Sequence, residues 1–165
     1  MITKFDAFYG GHVEIEDFGF QGIPVDDRWL SDKHLSTALD ISNQFATLMD
    51  EKGFDTLWLS DHHFLRVGYG CIPNIPMLSI YLSQYTKDLN FGGIFNVVTA
   101  WHPLRLAEDF AMADVMTRGR LIFGVGRGYQ SREVETMGAP LIDQDANRAV
   151  FEENMEIILK AFNEE

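Results

Sequence analysis

Short apolar runs and longer amphipathic stretches alternate along the chain, and each marks a predicted element. The second of these short runs is apolar at nearly every position, which is typical of parallel strands buried on both faces. The short runs predict strands at 3–9, 55–60, 90–98 and 120–125. The longer stretches repeat apolar residues at helical spacing, and they predict helices at 35–52, 75–85, 103–118 and 146–163.

Local signals agree with these helices. Gly53 follows the first helix, as a C′ glycine does, and Pro103 stands at the first position of the third. The apolar residues expected to face the core are Leu35, Leu39, Phe45 and Leu48 in the first helix, and Phe151, Met155, Ile158, Leu159 and Phe162 in the last. The long connection before the first helix predicts a functional or covering segment, because structureless loops of that length are uncommon.

The predicted order is β-α-β-α-β-α-β-α over a single α/β domain at 1–165. Such alternation favours right-handed crossovers and a parallel sheet. Two architectures fit this order. One is an open doubly wound parallel sheet, and the other is a portion of a (β/α)₈ barrel, whose usual length is about 250 residues.

Composition narrows the function classes. The apolar fraction is 46% and the aromatic fraction 13%, which are globular values. The net charge of −12 argues against a nucleic-acid partner and against docking on anionic membranes. The single cysteine forms no internal disulfide, and no apolar run is of membrane-spanning length. We therefore expect a cytoplasmic protein.

Titratable side chains follow the second predicted strand. Asp61, His62 and His63 stand where active sites of α/β enzymes are built, past the carboxyl ends of the strands. Adjacent residues point to opposite sides, so one of the two histidines is expected to face the site, where it would exchange protons near neutral pH. The alternative is that both pack a loop. No metal is expected, because this cluster lacks the spaced tetrahedral set that zinc prefers.

A glycine-rich segment follows the fourth predicted strand. Gly124, Gly126 and Gly128 would let the backbone approach a planar ligand or a phosphate. Arg127 carries a permanent charge on a planar donor fork that suits phosphate. The alternatives are a tight turn for the glycines and an ion pair from Arg127 to Glu133 or Glu135.

The order of these motifs resembles one enzyme family. The segment 53–64, which contains Asp61-His62-His63-Phe64, is followed by 89–92, 102–109, 119–128 and 147–149. Together these blocks look like the N-terminal half of a luciferase-like flavin-dependent monooxygenase, the family of bacterial luciferase. Five ordered blocks are more specific than the Gly-x-Gly-x-Gly run alone.

The resemblance implies a (β/α)₈ barrel of which this chain supplies the first four βα units, a half barrel. It implies reduced FMN at the C-terminal ends of the strands, or a deazaflavin coenzyme in its place, with O₂ and a small organic substrate such as an aldehyde. The catalytic residues it implies are His62, Asp61 and His63. The cofactor-binding residues it implies are Ile94, Phe95, Gly126, Arg127, Gly128, Tyr129 and Arg148, with the first two against the flavin ring and the arginines at the phosphate.

Relatives often have a cis peptide bond at the position of Ile94-Phe95, whereas the residues alone are equally those of an ordinary strand end. Four strands also leave a barrel open, so we expect a homo-oligomer or a partner half-barrel that pairs with the open edges. Three functions follow: a flavin-dependent monooxygenase, a deazaflavin-dependent oxidoreductase, or a non-catalytic subunit that only assembles or binds flavin weakly.

Overall fold

The structure, a computed structural model, describes residues 1–12, 32–64 and 70–164. The long connection predicted before the first helix lies mostly outside these residues. The strands are β1 Asp6–Tyr9, β2 Thr56–Leu59, β3 Asn90–Gly93, β4 Asn96–Val97, β5 Leu121–Ile122 and β6 Val125–Gly126. The helices are α1 Asp32–Lys52, α2 Ile75–Ser83, α3 Pro103–Thr117, α4 Ser131–Thr136 and α5 Gln144–Asn163, with a 3₁₀ turn at Val98–Ala100.

All strand pairs are parallel, and their order follows the chain. The main sheet runs β1-β2-β3-β5, and β4 pairs with β6 beyond its carboxyl edge. An open doubly wound sheet needs a reversal of strand order, and the described strands have none. The architecture is therefore a partial (β/α)₈ barrel, with each helix returning the chain to the next strand.

The third and fourth predicted strands are each broken in two. β3 and β4 are separated by Ile94 and Phe95, and β5 and β6 by Phe123 and Gly124. The two breaks face each other, because Asn96 donates hydrogen bonds from both its backbone N and its side chain to the carbonyl oxygen of Gly124, at 2.9 and 3.0 Å. Both segments of chain thus bend at the same level, at the carboxyl edge of the main sheet.

Glycine is required at this bend. A Cβ on Gly124 would lie 1.9 Å from the carbonyl oxygen of Gly93, well inside van der Waals contact. A Cβ on Gly93 would lie 2.9 Å from the carbonyl oxygen of Gly124. The two backbones approach so closely that neither position accepts a side chain without movement of the strands.

The helix ends follow the sequence signals. Asn74 caps α2 by accepting a hydrogen bond from the backbone N of Met77 (2.8 Å). The α3 helix begins at Pro103, and Arg118 closes it in the left-handed conformation (φ 61°). Asp143 caps α5 by accepting from the backbone N of Asp145 and Ala146. None of the helices in the described part of the chain is long and apolar enough to cross a membrane.

The buried face of α1 differs from the expected one. Leu35, Leu39 and Leu48 are 41%, 46% and 50% exposed, so their expected core positions are wrong, and Phe45 is half-buried. The residues that face the sheet are Ala38, Ser42, Ala46 and Met49. These residues recur at helical spacing, and the first three are small, so the helix axis can lie close to the strands.

The α5 helix packs against α3. Ile158 is fully buried among Leu106, Phe110 and Val98, and Phe151 and Met155 lie at the edge of this cluster. Leu159 and Phe162, expected on the same stripe, are 51% and 39% exposed. The apolar stripe of α5 is therefore narrower than the sequence indicates.

A row of residues, three of them large and apolar, crosses the inner face of the sheet. Phe8, Trp58, Gly92 and Ile122 are aligned across the four strands by the register of the sheet. Gly92 makes room for its neighbour, since a Cβ there would lie 2.5 Å from the Trp58 ring. Phe8 is 53% exposed and Ile122 38% exposed, so the inner face is open to solvent.

Candidate functional site

A cavity of about 440 Å³ lies at the carboxyl ends of the strands. It joins both segments singled out in the sequence, although more than sixty residues separate them (roughly the span of two βα units). Its lining residues are Phe8, Ser60, Asp61, His62, Ile94, Phe95, Val97, Gly126, Arg127, Gly128, Tyr129 and Glu133. The parallel register brings them together, because β2, β3 and β5 are neighbours and all end at this edge.

Asp61 anchors the end of β2. Its side chain is 2% exposed, and Oδ2 accepts hydrogen bonds from the backbone N of Val97 and from Nε1 of Trp101, both at 3.2 Å. The carboxylate thus ties β2 to the segment that follows β4. Asp61 lies in the wall of the cavity, and its hydrogen bonds hold that wall together.

His63 lies behind the wall rather than in it. Its Nε2 is 3.0 Å from Oδ1 of Asp61, a close ion-pair contact whose angle is poor for a hydrogen bond. The adjacent Asp61 carboxylate raises the pKa of His63, burial opposes this, and the charge of Glu133 adds to it. His63 is therefore held in place by a carboxylate and does not line the cavity.

His62 is the histidine that lines the cavity. Its Nδ1 is 3.0 Å from Oε1 of Glu133, and its side chain is 12% exposed. The Tyr129 ring stands edge-on to the imidazole, with 6.3 Å between the ring centroids. The two histidines thus separate as alternation predicts, one toward the cavity and one away from it.

Glu133 is a site residue that sequence reasoning missed in this role. It lies on α4, is 1% exposed, and its Oε1 also accepts a hydrogen bond from the backbone N of His63 (3.0 Å). The sequence pointed to Glu133 only as a possible partner of Arg127. The sequence of α4 does not indicate which of its two glutamates is buried: Glu133 is buried, whereas Glu135 is exposed.

Arg127 lines the cavity and is held in place by its backbone. Its carbonyl oxygen accepts hydrogen bonds from Oγ1 of Thr99 (3.0 Å) and Nδ2 of Asn147 (3.4 Å). Within the described residues the guanidinium makes one long hydrogen bond, 3.5 Å to the carbonyl oxygen of Gln144, and no ion pair. The alternative pairing with Glu133 or Glu135 is therefore wrong, since Glu133 faces the histidines.

The glycines around Arg127 serve the packing of the segment. A Cβ on Gly126 would lie 3.0 Å from Cβ of Phe95. Gly128 has a φ of +79°, and a Cβ there would lie 2.5 Å from Val134. Both glycines let the turn close on its neighbours, a reason that the sequence alone does not separate from the approach of a ligand.

The apolar wall of the cavity comes from the break between β3 and β4. The peptide bond between Ile94 and Phe95 is cis, as the resemblance implies. Their side chains are 37% and 53% exposed and line the cavity, whose wall is mostly apolar on this side. Arg148, expected at the same site, is exposed on α5 and is not among the residues that line the cavity.

A buried hydroxyl without a partner also lies in the wall. Ser60 is 3% exposed, lines the cavity, and its Oγ makes no hydrogen bond to any described residue. Buried polar groups are nearly always hydrogen-bonded, and an unpaired one costs about 1–3 kcal/mol. A polar atom of a ligand in the cavity would satisfy it.

Comparison with known proteins agrees with this architecture. The profile of a protein family described as luciferase-like monooxygenase matches residues 22–165. The alkanal monooxygenase alpha chain of Photorhabdus laumondii is 36% identical over 109 residues, which are 66% of this chain and 29% of that protein. The chain thus spans less than a third of the length of this curated relative.

Two solved structures share the fold. The oxygenating constituent of 3,6-diketocamphane monooxygenase from Pseudomonas putida, solved in complex with FMN, superimposes with a TM-score of 0.80 at 19% identity, over 100% of this chain and 40% of that one. The coenzyme F420 dependent tetrahydromethanopterin reductase of Methanopyrus kandleri gives a TM-score of 0.58 at 20% identity, over 74% of this chain and 36% of that one.

Proposed function

Because this chain belongs to the luciferase-like monooxygenase family, we propose that its strand-end cavity binds reduced FMN and holds it, with O₂, against a small organic substrate such as an aldehyde. The observation that carries this proposal is one cavity that combines an apolar wall, a histidine paired with a carboxylate, and an arginine without an ion pair among the described residues. The family consists of flavin-dependent monooxygenases and oxidoreductases.

The residues present fit a flavin. The cavity volume of about 440 Å³ lies in the range of cofactor sites. Ile94 and Phe95 offer an apolar surface to a planar ring, and the Ser60 hydroxyl offers a hydrogen bond to a polar ring atom. Arg127 offers a guanidinium to a phosphate, for which its planar donor fork is suited. We propose Arg148, at the start of α5, as a second phosphate partner.

Each of the cavity residues named below then has a defined role. The bound flavin supplies the oxygen chemistry. His62 holds or moves a proton at its ring nitrogens, with Asp61 and His63 supporting the wall beside it. Phe95 and Tyr129 offer apolar and aromatic surface to the bound ring, and Gly126 to Gly128 shape the turn that carries Arg127.

Two alternatives remain distinct from this proposal. One is a deazaflavin coenzyme in the same cavity, favoured by the fold shared with a coenzyme F420 dependent reductase. The other is a subunit that assembles without turnover or binds flavin weakly.

We further propose that this single domain, in a cytoplasmic setting, works with a second set of strands from another copy or from a partner half-barrel. Within the described residues β1 and β5 each pair on one side only, and the inner face between them is open. Unpaired edges and exposed apolar faces are surfaces on which chains associate.

A titration tests the cofactor proposal. We expect the purified chain to bind FMN under reducing conditions, and Arg127→Ala to weaken this binding about tenfold or more, since a hydrogen bond to a charged group contributes about 1.5–3 kcal/mol. Riboflavin, which lacks the phosphate, should bind both forms equally. Arg148→Ala is measured in the same way.

Arg105→Ala is the matched control, because Arg105 lies on the exposed face of α3 and pairs with Glu108 there. It should bind FMN as the wild type does. Absence of FMN binding at high micromolar concentration would show the flavin proposal to be wrong, and tighter binding of a deazaflavin coenzyme would favour the first alternative.

A further inference from the structure

Glu133 joins the two histidines from a separate element. Its Oε1 lies 3.0 Å from Nδ1 of His62 and 3.0 Å from the backbone N of His63, seventy-one and seventy residues earlier in the chain. The side chain is 2% exposed. A buried carboxylate is costly unless it is paired and hydrogen-bonded, so these contacts account for its burial in the cavity wall.

The contact determines which nitrogen of His62 carries the proton. An ionised carboxylate only accepts hydrogen bonds, so the bond to Glu133 requires the proton on Nδ1. In the neutral ring the basic lone pair is then on Nε2, on the opposite side of the imidazole. The hydrogen bond made by one ring nitrogen fixes the state of the other.

The neighbouring pair uses the opposite nitrogen. His63 faces Asp61 through Nε2, whereas His62 faces Glu133 through Nδ1. Asp61 is further engaged by Val97 and Trp101. The two adjacent histidines thus lie against two carboxylates, one from the end of β2 and one from α4, and only the contact of His62 with Glu133 has the geometry of a hydrogen bond.

We propose that Glu133 is a positioning residue, which holds His62 in the Nδ1–H tautomer and so makes Nε2 the nitrogen that exchanges a proton in the cavity. The use of that nitrogen rests on the proposed function, but the tautomer does not. The assignment comes from the burial of Glu133 and its two 3.0 Å contacts.

The tautomer is measured directly, without cofactor or turnover. Two-bond ¹⁵N–¹H correlation spectra of the ¹⁵N-labelled chain distinguish Nδ1–H from Nε2–H for each histidine ring, with His62→Gln used to assign its signals. We expect His62 as Nδ1–H in the wild type. An Nε2–H tautomer of His62 in the wild type would overturn the proposal without any further variant.

Substitutions of Glu133 test whether its carboxylate determines the tautomer of His62. Glu133→Leu should move His62 from mostly Nδ1–H toward mostly Nε2–H. Glu133→Gln keeps an acceptor oxygen, and it should preserve more of the Nδ1–H form than the leucine variant does. If Glu133→Leu does not fold, the glutamine variant and the wild-type spectrum still decide.

Glu135→Leu is the matched control, because Glu135 lies exposed on the same helix. This substitution should leave the tautomer of His62 unchanged. An unchanged His62 in Glu133→Leu, or the same change in Glu135→Leu, would overturn the proposal. Failure of the wild type to bind FMN would count against the proposed function alone, because the tautomers are read without a ligand.

Discussion

At the scale of single residues, the adjacent imidazoles of His62 and His63 face different carboxylates. Asp61 raises the pKa of His63 from its ordinary value of 6.5, with burial acting in the opposite direction. The folded state therefore holds a proton on His63 more tightly than the unfolded chain does. This difference links the stability of the fold to pH.

The sign of the effect follows from the raised pKa. The stabilising contribution of His63 is fully present below pH 6.5, its ordinary value, and is lost as the pH rises through the higher pKa of the folded state. We expect the difference in unfolding free energy between the wild type and His63→Gln to shrink over this range. Urea denaturation at a series of pH values measures it.

Asp61→Asn provides the control for this prediction, because it removes the carboxylate that raises the pKa of His63. In that background His63→Gln should show little dependence on pH. A difference between wild type and His63→Gln that grows with pH would contradict the assignment.

At the scale of elements, the bend shared by two neighbouring strands positions the cavity. β3 and β5 pair in the main sheet, and beyond the bend the same two segments of chain pair again as β4 and β6. The bend brings Phe95 over Gly126, with 3.0 Å from the Phe95 Cβ to a Cβ placed on that glycine. The apolar wall and the arginine turn therefore meet because of it.

Gly124→Ala tests this bend. Its Cβ would collide with the backbone of Gly93, and backbone yields less readily than a side chain. We expect a loss of about 1–3 kcal/mol in unfolding free energy together with shifted amide signals at Asn96, which donates twice to Gly124. Chemical denaturation and amide spectra measure the two effects.

Gly119→Ala is the comparison, since a Cβ on Gly119 meets nothing within 4 Å and its φ is +76°. It should cost about 1–2 kcal/mol through backbone strain alone and leave the Asn96 signals in place. Equal spectral changes in both variants would show that the close approach of Gly93 and Gly124 does not hold the bend.

The sequence predicted where the helices and strands lie better than it predicted which helix face is buried and which distant residues meet. Helix ends were predictable because their signals are local, as with Pro103 at the first position of α3 and the glycine after Lys52. The buried face of α1 was not, because Leu39 and Ala38 are adjacent and only the closeness of the sheet decides between them. Glu133 was missed as a partner of His62 because the two residues are 71 positions apart in the chain, with six strands and helices between the end of β2 and α4.

The sequence placed several of the residues that line the cavity close together. Strand ends in a parallel sheet share one edge, so Asp61, His62 and the segment around Arg127 could be placed together from the order of elements alone. The purpose of Gly126 and Gly128 could not, because the side chains that fill the space beside them come from Phe95 and Val134.

At the scale of the whole molecule, the sheet is covered by helices on its outer face, while its inner face is open. The row formed by Phe8, Trp58 and Ile122 faces the interior that a complete barrel would fill. Phe8 and Ile122 are 53% and 38% exposed, and β1 and β5 each have an unpaired edge within the described residues. Association through this face would cover the exposed apolar side chains and the unpaired strand edges.

We predict that the chain self-associates through this inner face when no partner half is supplied, and that Ile122→Lys weakens the association. A lysine at the β5 end of the row would place a charge in the apolar contact, where burial without a partner is costly. Ile142→Lys is the matched control, because Ile142 is 84% exposed and lies just before α5, outside the row. Sedimentation velocity over a range of concentrations should show assembly of the wild type and of Ile142→Lys at concentrations where Ile122→Lys is monomeric. A wild-type chain that stays monomeric at every concentration would contradict the prediction, and equal weakening by both lysines would show that association uses another surface.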